Sequence, residues 1–139
     1  MLGLSQRLTE LPEQTCAPSM QECLHRAQAN DAYWHGLFGG LYLPHLRRAI
    51  WHNLIALEGA LDAIAPRAPF ERRDIDYDGM EEFLQSSAQL QAISRHDGDA
   101  CIIELSSYPL AHNFADTLRR YVVSYHAKID FTAAAAADD

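Results

Sequence analysis

Leu43–Ile64, LPHLRRAIWHNLIALEGALDAI, reads as one long amphipathic helix. Leu43, Leu46, Ile50, Leu54, Leu57, Leu61 and Ile64 recur at steps of three and four, the spacing that lines up one helical face. Arg47, Arg48, Glu58 and Asp62 fall off that stripe, on the expected polar side. Pro44 suits the first turn, where its missing N–H costs nothing, and Pro66 and Pro69 end the element. A helix with one apolar stripe must bury it against a neighbour.

The neighbour lies upstream. Ser19 with Glu22 has the capping-box spacing, and Met20, Cys23, Leu24, Ala27 and Asp31 follow at helical steps. The spacing predicts a helix running to about His35 and stopping at Gly36 or Gly39–Gly40. Two helices joined by a short glycine-rich turn form an αα-hairpin. Residues 1–18 are polar with isolated leucines, interrupted by Pro12 and Pro18.

Downstream the period changes. Ile75 and Tyr77 alternate with Asp74, Asp76 and Asp78, which predicts a short strand. Leu90, Ala92 and Ser94, then His96-Asp97-Gly98-Asp99, then Ala100–Leu105 predict a hairpin turning at Asp-Gly. Phe114, Leu118, Tyr121, Val122 and Tyr125 have helical spacing with Asn113 as a cap, while Ala133–Ala137 before Asp138 and Asp139 is expected to fray. The class is therefore α+β. An antiparallel helical hairpin occupies residues 1–66, and a small antiparallel β region, an incomplete β-sandwich with a frayed tail, occupies 67–139.

The 139 residues suit one domain or pieces of two, and 48% hydrophobic with 22% charged residues is ordinary globular composition. Eleven basic against nineteen acidic residues leave a formal charge of -8, which repels a phosphate backbone and excludes nucleic acid as a partner. Cys16, Cys23 and Cys101 form no CxxC pair and read as reduced thiols of a cytoplasmic protein. Met1–Met20 has no basic region followed by an apolar run, so it is not a signal peptide. No membrane partner and no cofactor are expected.

Chemistry concentrates in Asn30-Asp31-Ala32-Tyr33-Trp34-His35-Gly36-Leu37-Phe38-Gly39-Gly40. A carboxylate beside an indole is what a sugar subsite needs: an acceptor for hydroxyls and a flat apolar face for the C–H side of a pyranose. Asp31 and Trp34, with Tyr33 and His35 beside them, are the candidate substrate-binding residues. The bland alternative is a packing tryptophan and a solvated aspartate. Asp74-Ile75-Asp76-Tyr77-Asp78-Gly79 opens like an EF-hand loop, but Gln85 stands where the bidentate glutamate belongs. A Ca²⁺ module at Asp74, Asp76 and Asp78 is thus an alternative, and no metal site is assigned. His35, His45 and His52 lack HxxxH spacing. His112, Asp116 and Ser106 suggest a triad only on paper, because no nucleophile elbow accompanies them.

The run Asn30 to Arg47 resembles the fifth conserved region of glycoside hydrolase family 57, in its α-amylase/4-α-glucanotransferase branch. Asp76–Glu82, Ile103–Leu105 and His112–Arg120 are similar to the start of that branch's C-terminal β-rich domain. The resemblance implies enzymes that act on α-1,4-glucans with retention, through a glutamate nucleophile and an aspartic acid/base set about 5–5.5 Å apart. It also implies that both belong to a (β/α)₇ barrel preceding the helical region, so this chain alone is expected to be inactive, with no catalytic residue of its own. Asp31 and Trp34 match family positions facing the sugar cleft. The implied partners are an α-1,4-glucan or maltooligosaccharide in the full-length context, and a catalytic barrel or a second copy of the chain.

Overall fold

The structure, a computed structural model, describes residues 1–35, 37–96, 98 and 100–117. Its elements are α1 (Leu2–Glu10), α2 (Pro18–Ala27), two 3₁₀ turns (Asn30–Tyr33 and Gly40–Tyr42), α3 (Pro44–Ile64), then β1 (Phe70–Arg73), β2 (Glu82–Ser86), β3 (Leu90–Arg95), β4 (Cys101–Ser107) and β5 (His112–Asn113). The helices precede one open antiparallel sheet in the order β1-β2-β3-β4-β5. This is the expected α+β arrangement.

The long helix runs as its periodicity predicts, with Pro44 in the first turn and the last helical residue at Ile64. Leu57 and Leu61 bury against Leu8 of α1 and Met20 and Leu24 of α2, and Leu4, Leu11 and Cys23 flank this core. The first helix is therefore real: Leu4, Leu8 and Leu11 share a face because they repeat at steps of four and three. Read as isolated leucines, they concealed it.

Two expectations about α2 fail. Its N-cap is Ala17 rather than Ser19, because Pro18 begins the first turn without needing an N–H partner. Glu22 pairs instead with Arg26 at 2.6 Å. The helix also ends at Ala27 and not near His35, because its buried side consists of Met20, Leu24 and Ala27 and nothing beyond extends it. Gln28 and Ala29 are already exposed.

The second face of α3 lies on the sheet, and it mixes the buried Ile55 with polar residues. Glu58 and Asp62 are not solvated, as the stripe predicted. Gln91 Nε2 donates to Glu58 at 2.9 Å and to Glu104 at 2.8 Å, so one amide clamps a helix carboxylate and a strand carboxylate. Glu58 also pairs with Arg67 at 2.8 Å, and Asp62 receives bonds from both Arg67 and Arg7. The Tyr108 ring packs on the helix at Gly59, close enough that a Cβ there would meet it at contact distance. Ile55 and Glu58, with Leu84, Ile93 and Glu104 of the sheet, line a cavity of about 410 Å³.

The sheet departs from expectation in its first half. Ile75 and Tyr77 are not in a strand; they lie in a loop between β1 and β2. That loop is held by Asp74, whose carboxylate accepts the N–H groups of Tyr77, Asp78 and Gly79. Such side-chain bonds compete with a ladder, which is why alternating aspartates do not make a strand here. Strand β2 runs instead through Glu82, fully buried, whose carboxylate accepts the Ile75 N–H at 3.0 Å and faces Arg95 at 3.6 Å. The expected hairpin of β3 and β4 is present, with Ile93 opposite Glu104 and a register shift after it. Asn113 ends the ladder in β5 opposite Ser106 rather than capping a helix. The helical spacing from Leu118 and the C-terminal tail lie outside the described residues.

Candidate functional site

The Asn30–Gly40 region is a tightly tied turn between α2 and α3. A 3₁₀ turn spans Asn30–Tyr33, and Trp34 then leaves it in an extended conformation, φ -143° and ψ 170°. The chain returns so that the Leu41 N–H donates to the Trp34 carbonyl at 3.0 Å. Only glycine allows this return. Gly40 has φ 49°, and a Cβ there would lie 2.1 Å from the Trp34 oxygen. At Gly39, with φ 115°, a Cβ would meet Leu43 at 2.8 Å. The glycines expected as helix stops therefore close a loop instead.

The structure places all four candidate side chains on this turn, and all four are exposed. Trp34 keeps 51% of its surface accessible. The Tyr33 hydroxyl turns back to donate to the Ala27 carbonyl at the end of α2, and burial raises its pKa. The His35 ring packs on Tyr42 with centroids 5.2 Å apart, tilted by 40°. Asp31 stands on a 3₁₀ turn and Trp34 at its extended exit, not on the helical face that spacing predicts.

Arg47 is a supporting residue that sequence reasoning left on the polar side of α3. Its guanidinium donates to the Leu41 carbonyl at 2.7 Å and to Asp116 at 3.0 Å. It thereby ties the returning loop to the segment after β5, and both members of this ion pair are mostly shielded from solvent. The signal was a buriable arginine in the first turns of a helix that follows a glycine turn.

The other motifs resolve differently. Carboxylate oxygens of Asp74, Asp76 and Asp78 lie within 4.8 Å of one another. Asp74 already accepts three backbone N–H groups, and Arg95 binds Asp76 at 3.1 Å and Asp78 at 2.6 Å. The Met80 N–H bond, then Arg95, holds the Asp78 carboxyl below its usual range. A guanidinium thus fills the place a cation would take. The paper triad does not assemble: Ser106 donates to Glu104, Asp116 pairs with Arg47, and His112 packs edge-on against Phe114. Cys16 and Cys23 are free thiols.

Residues 1–61 match the family model described as Alpha-amylase/4-alpha-glucanotransferase, middle domain, and residues 74–139 match its C-terminal counterpart. The chain belongs to the alpha-amylase/4-alpha-glucanotransferase family. It is 44% identical over 115 residues to an alpha-amylase of Pyrococcus furiosus, covering 81% of this chain and 17% of that protein. To a 4-alpha-glucanotransferase of Thermococcus kodakarensis it is 41% identical over 109 residues, 78% of this chain and 16% of the relative. The crystal structure of 4-alpha-glucanotransferase from Thermococcus litoralis superposes with a TM-score of 0.71 at 33% identity, over 96% of this chain and 19% of that one. The chain therefore spans about one sixth of the length of the curated relatives it matches. Among the described residues no helix is long and apolar enough to cross a membrane.

Proposed function

We propose that this chain supplies one wall of an α-1,4-glucan cleft in a complete enzyme of the family, and that it is not catalytic by itself. Trp34 stacks on a glucosyl ring, Asp31 accepts its hydroxyls, and Tyr33 and His35 hold the turn that presents them. The observation that carries this is the half-exposed Trp34 indole on a turn closed by the Leu41–Trp34 bond and by two obligatory glycines. A side chain serving only as core would not be held outward on a rigid turn. In this reading residues 1–66 form the helical unit and 67–139 the β unit, and the protein works on a soluble glucan in the cytoplasm. A lone stack and a few hydrogen bonds leave the isolated chain a weak binder, because ordering and desolvation costs offset them.

The test is a chimera in which this chain replaces the superposed segment of the Thermococcus litoralis enzyme. Trp34→Ala is expected to lower kcat/KM for maltoheptaose roughly tenfold, the value of one aromatic stack. An unchanged kcat/KM in a well-folded variant would sink the cleft reading. Release of reducing sugar by the isolated chain would refute its inactivity.

A further inference from the structure

The Trp34 carbonyl is the far end of a run of hydrogen bonds that begins in the sheet. Asn113 of β5 is buried, and its side-chain oxygen accepts the Leu105 N–H of β4 at 3.0 Å and the Ala115 N–H at 2.9 Å. That one oxygen fastens the segment after β5 to the ladder, and Asp116 is the next residue along. Asp116 accepts from Arg47 Nε at 3.0 Å, while Arg47 Nη1 donates to the Leu41 carbonyl at 2.7 Å. The Leu41 N–H closes the run on the Trp34 carbonyl at 3.0 Å. The Arg47 and Asp116 side chains are only 17% and 11% exposed, so their charge-assisted bond is mostly sheltered from water. Gly40 passes so close to the Trp34 carbonyl that a shift at Leu41 is handed on to Trp34.

We propose that Asp116 is a positioning residue for the glucan site: acting through Arg47 and Leu41, it fixes where Trp34 stands, so the β region sets the affinity of a site built on the helical part. The proposal rests on the cleft reading and adds what governs its grip. The carboxylate of Asp116 is engaged by Arg47, so it serves the sugar only by way of Trp34. Arg47 is suited to the link because its planar fork reaches a carboxylate and a loop carbonyl at once, which a lysine ammonium on a flexible stem does not reproduce. Such a coupling is reciprocal. Whatever holds Asp116 in place tightens the hold on a glucosyl ring, and a ring held by Trp34 steadies the segment after β5. Loosening a stack that grips the ring before and during reaction alike raises KM and spares kcat.

The experiment uses the isolated 139-residue chain and the Thermococcus litoralis chimera, each with Asp116→Ala and with Asp116→Asn. In the isolated chain, Asp116→Ala should quicken amide exchange at Leu41 about tenfold while Leu57 of α3 and Ile93 of β3 keep their rates. Asp116→Asn keeps an oxygen for Arg47 and should restore most of the protection. Unchanged exchange at Leu41 overturns the proposal. Equal acceleration at Leu57 and Ile93 overturns it too, because Asp116 would then be an ordinary stability residue. In the chimera, Asp116→Ala should raise KM for maltoheptaose roughly threefold with kcat unchanged, within the tenfold set by losing Trp34 altogether. Added to Trp34→Ala it should cost nothing more, since both changes act on one contact; additive losses overturn the proposal. If Trp34→Ala costs tenfold and Asp116→Ala nothing, the proposal fails alone. If Trp34→Ala itself has no effect, the cleft reading fails and takes the proposal with it.

Discussion

Glu58 offers the sharpest test of how the helices are fastened to the sheet. Burial raises its pKa from 4.5 to about 7; Arg67 pulls it down, and Glu104 and Asp62 push it up again. In the unfolded chain the same carboxyl ionises near 4.5, so between pH 4.5 and 7 the folded state keeps a proton the unfolded state has released. Stability from this group is then fully present below pH 4.5 and is lost as pH rises through 7. At about 1.36 kcal/mol per pH unit the loss amounts to about 3 kcal/mol. Glu58→Gln keeps an acceptor for Gln91 and removes the charge, so its stability should lack this component. Urea unfolding of both proteins at pH 4.5, 5.5, 6.5 and 7.5 measures the difference directly. The variant should gain on the wild type by about 3 kcal/mol across that range, and titrations elsewhere in the chain cancel in the comparison. A difference that does not vary with pH would refute the reasoning, because it would mean that Arg67 fully compensates the buried charge.

Gln91→Leu removes the amide that separates two buried carboxylates, and urea unfolding at pH 7.5 should show a loss of about 2–4 kcal/mol, smaller at pH 5. Gly40→Ala must move the Trp34 carbonyl, and unfolding should show a cost of at least about 2 kcal/mol together with faster amide exchange at Leu41. Arg95→Gln leaves Glu82 buried without its guanidinium and should cost about 3 kcal/mol by the same assay. For the wild type, 5 mM CaCl₂ should leave the melting temperature unchanged, because Arg95 already neutralises Asp76 and Asp78; a rise of several degrees would restore the Ca²⁺ reading.

Legibility followed the physics of each segment. The stripe of α3 was readable because burial against α1 and α2 depends on spacing alone, and the β3–β4 hairpin because an Asp-Gly turn constrains only its own residues. Strand β2 escaped notice since one of its two inward residues is Glu82, a carboxyl that becomes tolerable only when Arg95 of β3 and the Ile75 N–H of the preceding loop reach it. Asp74-Ile75-Asp76-Tyr77-Asp78 looked like a strand by alternation. Its own carboxylate captured the backbone first.

The Asn30–Gly40 turn divides along the same line. Its composition alone marked Asp31, Tyr33, Trp34 and His35 as the place to look, and its order carried the family resemblance. Spacing could not say that α2 stops at Ala27, because helix length there is set by where contacts with the core run out. Nor could it say that Glu58 faces a sheet rather than water. The side of α3 that Glu58 occupies acquires a meaning only when Gln91 and Glu104, distant in the chain, are folded against it.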